Sequence, residues 1–361
     1  MSHGSTGRPL ASGARRGGSA PRVPARTLAL LLATLLPSAC GGRPGAIRES
    51  LPVLLVSDRS GALRIYEDGG DGGARLLARR GTEDRSTRDS MPARLPDGRI
   101  AFVSDRDGNP GIYLAAEGGD AKRLTVDPPD RPAIDSCPAP LGRDRIVFAR
   151  SGPRKPDAPG ETSAPPGPRD LYALRLDGNG ETRLTRDPSD DWAPSASADG
   201  RSVVFVSDRT GTARIHLIPD VDAADPDASA VCLSDFELPR SSPGGRPSAD
   251  GAPAFLPDGS IVFSRTPSEG VPHLYVMGRQ GARAGLRQIT DSVTLPYGAS
   301  EPVVLDERTL LFTTGPIADK ERPRGPARFV VYRIALGGFN LTRVTRNQAP
   351  YADFARHLDE R

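Results

Sequence analysis

The sequence is poor in the groups that usually carry catalysis. It has four histidines, three cysteines and one tryptophan in 361 residues, and no G-x-S-x-G stretch to set a serine on a nucleophile elbow. That excludes a hydrolase of the elbow type. No long helical periodicity stands out, which excludes a bundle or coiled coil. The apolar run 27–36 is too short to cross a bilayer. Acidic residues are missing from the leader, where Arg8, Arg15, Arg16, Arg22 and Arg26 precede that run. What the chain has in quantity is turn chemistry, with 40 glycines and 37 prolines, on a soluble background of 37% hydrophobic and 26% charged residues.

A basic stretch, a short apolar run and small residues before Cys40 read as an export signal. Ser38-Ala39-Cys40-Gly41 resembles a bacterial lipobox, with Leu36 four residues before the cysteine and Pro37 between. The expectation is a signal peptide over 1–39, a lipidated Cys40 with a polar tether over 40–50, and the folded part over 51–361. The leader's five arginines exceed the chain's net charge of +3, so the remainder is net −2 and carries no footprint for nucleic acid.

The folded part is organised by a repeat, clearest in 91–125, MPARLPDGRIAFVSDRDGNPGIYLAAEGGDAKRLT. Pro92 to Leu95 reads as a strand, Pro96-Asp97-Gly98 as a tight turn, and Ile100 to Val103 as a strand apolar on both sides. A third run and a short polar fourth follow. A strand apolar on both sides needs cover above and below, which a ring of like sheets supplies. The pattern recurs as CPAPLGRDRIVFARSG, APSASADGRSVVFVSDRTG, APAFLPDGSIVFSRTP and EPVVLDERTLLFTTG. At the start LPVLLVSDRSG opens directly on the second strand, and at the end FARHLDER matches PARLPDGR. The C-terminus therefore supplies the strand that the first unit lacks. The expected fold is all-β: a six-bladed β-propeller of four-stranded antiparallel blades, its ring closed by the C-terminal strand. Cys137 and Cys232 fall on an innermost strand and on the next blade's outermost strand, too far apart for a disulfide, and read as thiols outside any disulfide.

PARLPDGRIAFVSDRDGNPGIYLAAEGG, with RLT closing each unit, resembles the repeats of the TolB-type β-propeller family, relatives of the WD-repeat propellers. The resemblance covers essentially 51–361. It implies the propeller fold and leaves function open among periplasmic interaction proteins, peptidase caps and lyases.

Following strand direction, the turns after the second strand and the links between blades share one rim, face X. The PDG turns and the links between third and fourth strands share the other, face Y. The insertions 151–169, 235–250 and 315–327 fall on face X, and 219–229 on face Y. An aspartate stands three residues before the first-strand proline in four units: Asp89, Asp135, Asp191 and Asp250, with Ala299 in the sixth. On the innermost strands they would form a broken ring at the channel mouth, either a site for a cation or basic partner or acceptors for their own loops' N–H groups. Trp192 beside Asp191 is a recognition residue or an interior one. Asp58-Arg59, Asp105-Arg106 and Asp208-Arg209 read as turn chemistry. His216, His273 and His357 occupy non-equivalent positions, and His216 stands where Tyr113 and Tyr172 stand, so no metal centre or cofactor is expected. The functional expectation is a non-enzymatic envelope lipoprotein. It would be monomeric, on the periplasmic side of the outer membrane, held to the membrane by its lipid alone and binding another envelope protein or peptide. The rival is a lyase-like propeller acting on a carbohydrate or small molecule at the channel.

Overall fold

The computed structural model describes residues 53–57, 60, 62–68, 74–77, 86–116, 119–127, 133–153, 166–236, 247–317, 328–344 and 353–354. Cys40, Arg59 and His357 lie outside them.

Within these residues the strands form six four-stranded antiparallel sheets. From the innermost strand outward, blade 2 is Asp89–Arg94, Ile100–Ser104, Gly111–Ala115 and Lys122–Arg123. Blade 3 runs Ile134–Leu141, Arg145–Pro153, Pro166–Arg175, Thr182–Arg183, and blade 4 Asp191–Ala196, Val203–Ser207, Arg214–Ile218, Val231–Cys232. Blade 5 is Ala249–Phe255, Ile261–Thr266, His273–Met277 and Leu286–Gln288; blade 6 is Ser300–Val304, Thr309–Ile317, Arg328–Ala335 and Thr342–Arg343. Blade 1 takes Val53–Ser57, Arg64–Asp68 and Ala74–Leu76 from the start of the folded part and Asp353–Phe354 from the end of the chain. Val56 pairs with Phe354 and Ser57 with Asp353, so the ring is closed by its C-terminal strand as the repeat offset implies. Asp353 thereby faces Ser57 in the register in which Asp89 faces Ser104.

The second strands Ile100–Ser104 and Val203–Ser207 are buried along their whole length, which is why both of their sides are apolar. Six apolar clusters fill the six seams between neighbouring blades. One joins Phe102 and Tyr113 to Ile65, another Phe148 to Val103, and the seam across the closure packs Leu55 and Tyr66 on Leu311 and Val331. The outermost ladders are only two or three residues long for a local reason. In blades 2 to 5 the hydroxyl that ends the unit turns inward and accepts the N–H of the third strand: Thr125 from Ile112, Thr185 from Leu171, Ser234 from Ile215, Thr290 from Leu274. This satisfies the donor and ends the ladder.

The Asp-Gly turns between first and second strands behave as their sequence requires. Gly98, Gly200 and Gly259 have φ of 84°, 70° and 81°, and Asp97 caps the turn by accepting the N–H of Arg99. At Gly200 a second constraint applies, because a Cβ there would lie 2.6 Å from the Cα of Gly142 in the next turn. Two insertions differ from the loops expected of them. In blades 3 and 6 the second and third strands continue into the inserted segments, to Pro153 and from Pro166, and to Ile317 and from Arg328.

The insertion 219–229 also differs from its assignment to face Y. It leaves the face Y end of blade 4, where Asp222 pairs with Arg145 of blade 3 (2.7 Å) and Val221 enters the seam. It then crosses the seam to face X, where Asp227 takes Arg209 (3.0 Å) and the N–H of Arg186 (2.8 Å). It is a strap across two blades, drawn by charges that its position in sequence does not reveal. Cys137 is buried on an innermost strand and Cys232 half-buried on an outermost one, and neither is in a disulfide.

Candidate functional site

The four aspartates expected at the channel mouth occupy equivalent positions at the face X end of their innermost strands, and all are buried, at most 4% exposed. Their side chains do not look into the channel, and the reason is a bulge. In a regular strand Asp89 would share the side of Ala93, which lies opposite Ala101 and away from Phe102. One extra residue between Ser90 and Ala93 puts Asp89 opposite Ser104 instead, on the side of Phe102. The same shift occurs between Ser136 and Ala139, Trp192 and Ser195, Gly251 and Ala254, and Ser300 and Val303. The bulged residue just before each proline takes positive φ: Met91 50°, Cys137 51°, Ala193 49°, Ala252 42° and Glu301 54°. Five non-glycine residues in that region are a repeated local cost, accepted for what the bulge positions.

Each carboxylate meets an arginine laid over an aromatic ring. In blades 3 and 5 that arginine stands directly across the ladder. Arg150 grips Asp135 through Nε and Nη2 (2.6 and 3.1 Å), and Arg265 grips Asp250 the same way (2.5 and 2.8 Å). In blades 2 and 4 the residue across is a serine, and the arginine comes from two positions further on, in the turn. Arg106 reaches Asp89 and Arg209 reaches Asp191, each at 2.8 Å, while their Nε groups donate to Ser104 (2.9 Å) and Ser207 (3.0 Å). Both routes put the guanidinium over the second-strand phenylalanine, 5.5 Å from Phe102, 5.1 Å from Phe148, 5.5 Å from Phe205 and 5.6 Å from Phe263. Beneath lies the third-strand ring, Tyr113, Tyr172, His216 or Tyr275. His216 is thus a substitution for tyrosine in a stack, and burial lowers its pKa to about 4.

The assembly also ties one blade to the next. The Ser234 hydroxyl of blade 4 donates to Asp250 of blade 5 (2.5 Å), and Arg265 donates to the carbonyls of Ser234 and Phe236. The N–H groups of Asp89, Asp135 and Asp250 donate to carbonyls at the start of the preceding blade's third strand, those of Leu63, Pro110 and Ala213. Blade 6 shows the alternative. Ala299 replaces the aspartate and Thr314 stands two residues after Phe312, where blades 3 and 5 have arginine; the Phe312–Tyr332 stack remains, and Leu295 packs against it.

These carboxylates, expected either as a site for a cation or basic partner or as acceptors for their own loops' N–H groups, accept instead from arginines of their own blades. Neither these carboxylates nor Trp192 line the two channel cavities formed by the described residues. Trp192 is half-buried under Arg169, 4.9 Å from its ring, and packs into the seams on both sides of blade 4. The channel holds a chamber of about 290 Å³ walled by Pro92, Arg94, Pro140, Phe255 and Leu305, and narrows toward the bulges, where Cys137, Ala193, Ala252 and Glu301 leave about 10 Å³. The residues missed in sequence are Arg106, Arg150, Arg209 and Arg265. Their signal was present as Phe followed by Arg at two or four positions, the longer spacing always with Ser between.

Two expected outcomes check this reading. Asp250→Ala leaves Arg265 buried without its counter-charge and should cost roughly 3–5 kcal/mol in denaturant unfolding. Asp250→Ala with Arg265→Met imitates blade 6 and should be more stable than the single variant; a double variant no better than the single would show that the charge pair is not the cause. The second concerns pH. An unfolded histidine takes a proton near pH 6.5 while native His216 resists until about 4. Stability is then lost as pH falls between those values, by up to roughly 3 kcal/mol. Asp191 acts oppositely: burial raises it to about 6, so the native state holds its proton longer and loses stability as pH rises from 3.8 toward 6. Wild-type protein mixes the two, but the stability of His216→Tyr relative to wild type should grow as pH falls from neutral. A pH-independent difference would refute a buried neutral imidazole.

No protein-family model matches the chain. A curated relative, a TolB homolog of Chlorobium luteolum, is 29% identical over 167 residues, covering 46% of this chain; the match spans 34% of that relative, about a third of its length. Among solved structures, TolB from Acinetobacter baumannii superposes with a TM-score of 0.53 at 17% identity, over 84% of this chain and 66% of that one. An oligogalacturonate lyase in complex with manganese gives 0.50 at 14% identity, over 83% and 75%. Likenesses at these identities speak for the fold, which carries both kinds of protein. With six four-stranded blades and a C-terminal closing strand, the chain is a six-bladed β-propeller, similar in fold to TolB.

Proposed function

We propose that this propeller is an exported, non-enzymatic interaction module of the cell envelope, anchored through a lipid on Cys40 and binding a partner on face X. The observation that carries the binding face is where its apolar surface lies. Seven large hydrophobic side chains are exposed among the described residues, and five of them, Val126, Ile134, Phe236, Val293 and Tyr297, stand in or next to the links of face X. Val231 is on an outer rim, and Phe339 is in a turn of face Y. Exposed apolar groups gathered on one side of a rigid ring favour association with another protein. The leader, the lipobox-like Cys40 and the TolB likeness support the envelope setting, and the aspartates of face X serve the ring itself.

A photo-crosslinking residue placed at Phe236 or Tyr297 should give discrete adducts in envelope fractions of a bacterium expressing the full chain, and one at Phe339 should not. Adducts from Phe339 alone, or from none of the three, would defeat the assignment. In the same cells Cys40→Ser should move the protein from the membrane to the soluble fraction; unchanged fractionation would count against the anchor.

A further inference from the structure

Blade 1 has an edge that the described residues leave without a partner. In blades 2 and 4 the second strand is buried over all five residues, whereas in blade 1 Val53 and Leu54 are only half-buried and Leu55 to Ser57 are buried. The change falls where the inner partner stops. Asp353 pairs with Ser57 and Phe354 with Val56, and no described residue stands opposite Leu54 or Val53 on the channel side. The same two residues line the channel chamber. Blades 2 to 5 line it with first-strand residues alone, such as Ser195 and Ala196, so in blade 1 the second strand shows through the place where a first strand belongs. An edge of this kind presents backbone N–H and C=O groups and two apolar side chains to a cavity, and an extended segment of chain satisfies both.

The segment that follows Phe354 directly is 355–358, outside the described residues. Two observations argue that it is the occupant. The pairing of Asp353 and Phe354 runs straight into the open edge. The sequence also repeats blade 4, because Asp353-Phe354-Ala355 matches Asp191-Trp192-Ala193, and Asp191 faces Ser207 and Trp192 faces Val206 as Asp353 faces Ser57 and Phe354 faces Val56. In blade 4 a bulge follows, after which Ser195 stands opposite Val204 and Ala196 opposite Val203. We propose that residues 355–358 dock on the open edge of blade 1 with that bulge and register, His357 opposite Leu54 and Leu358 opposite Val53. The chain's own closing segment then forms the sixth wall of the chamber and brings an imidazole into it. The titratable side chains of the chamber stand together, His357 on blade 1 and Arg94 on blade 2, across the ring from Phe255 of blade 5. This register is two residues away from the one that the match of FARHLDER with PARLPDGR implies, in which Ala355 faces Leu54. It does not depend on which face binds a partner.

Cysteine pairs decide between the two registers in the folded full-length chain. Residues directly opposite on antiparallel strands have Cα atoms within disulfide range, and a displacement of two residues puts them beyond it. Leu54→Cys with His357→Cys should close a disulfide under mild oxidation at least about tenfold faster than Leu54→Cys with Ala355→Cys, the linked peptides being identified by mass spectrometry. The second pair closing faster, or neither pair closing, would overturn the proposal. Wild-type protein gives a check that no substitution can disturb. Hydrogen exchange of the peptide covering 355–358 should be slowed in the folded chain to the degree seen for 193–196 of blade 4. Exchange there at the rate of an unfolded chain would overturn the proposal as well, whatever the cysteine variants do.

Discussion

The structure depends on burying four carboxylate–guanidinium pairs without leaving any charge alone. A buried ion pair loses solvation on both sides and is stable only if its geometry is good and the remaining donors and acceptors are met. Here the carboxylate has an arginine of its own blade and, in blade 5, the preceding blade's hydroxyl, while the arginine's flat face rests on an aromatic stack. Arginine is the suitable cation, since its fork can serve two acceptors at once while its plane lies on a ring. In blades 2 to 5 the bulge before the proline brings the aspartate to that arginine, and blade 6 keeps the bulge without the pair. Without the bulge the aspartate would fall on the wrong side of the blade.

Blade 6 indicates how strong that constraint is. It lacks the aspartate and the arginine together, keeps the stacked rings, and fills the space with Leu295. Losing both charges is tolerable because apolar packing replaces a satisfied pair at little net cost, whereas losing one would strand the other. A charged clasp is therefore not needed to make a blade. It is needed wherever one half of it is present, and the joint absence of Asp and Arg in one of the blades fits that rule.

The architecture was readable in the sequence because its determinants are local. PDG turns, doubly apolar second strands and a terminal hydroxyl each act over a few residues, and the offset between LPVLLVSDRSG and FARHLDER fixed the closure. The surroundings of the aspartates were not readable, since an unrecognised bulge reverses which way a side chain points. In two blades the partner arginine also sits in a turn that by itself looks like ordinary loop chemistry, as Asp105-Arg106 and Asp208-Arg209 do. The strap 219–229 escaped for a related reason: strand direction tells where a link begins, but Asp222 and Asp227 decide where it goes.

These constraints also shape what the outer surface can offer. The carboxylates of Asp89, Asp135, Asp191 and Asp250 on face X are taken up by arginines of their own blades. A ligand approaching from face X thus meets the links between blades before it meets any free carboxylate of the inner ring. Among the described residues, the link 289–299 carries a hydrogen bond that aligns one blade with the next, from the N–H of Ala299 to the carbonyl of Pro272. In a ring fastened this way, the segments that stitch the blades also carry the exposed Phe236, Val293 and Tyr297, so the apolar surface of face X and the joints between blades lie on the same stretches of chain.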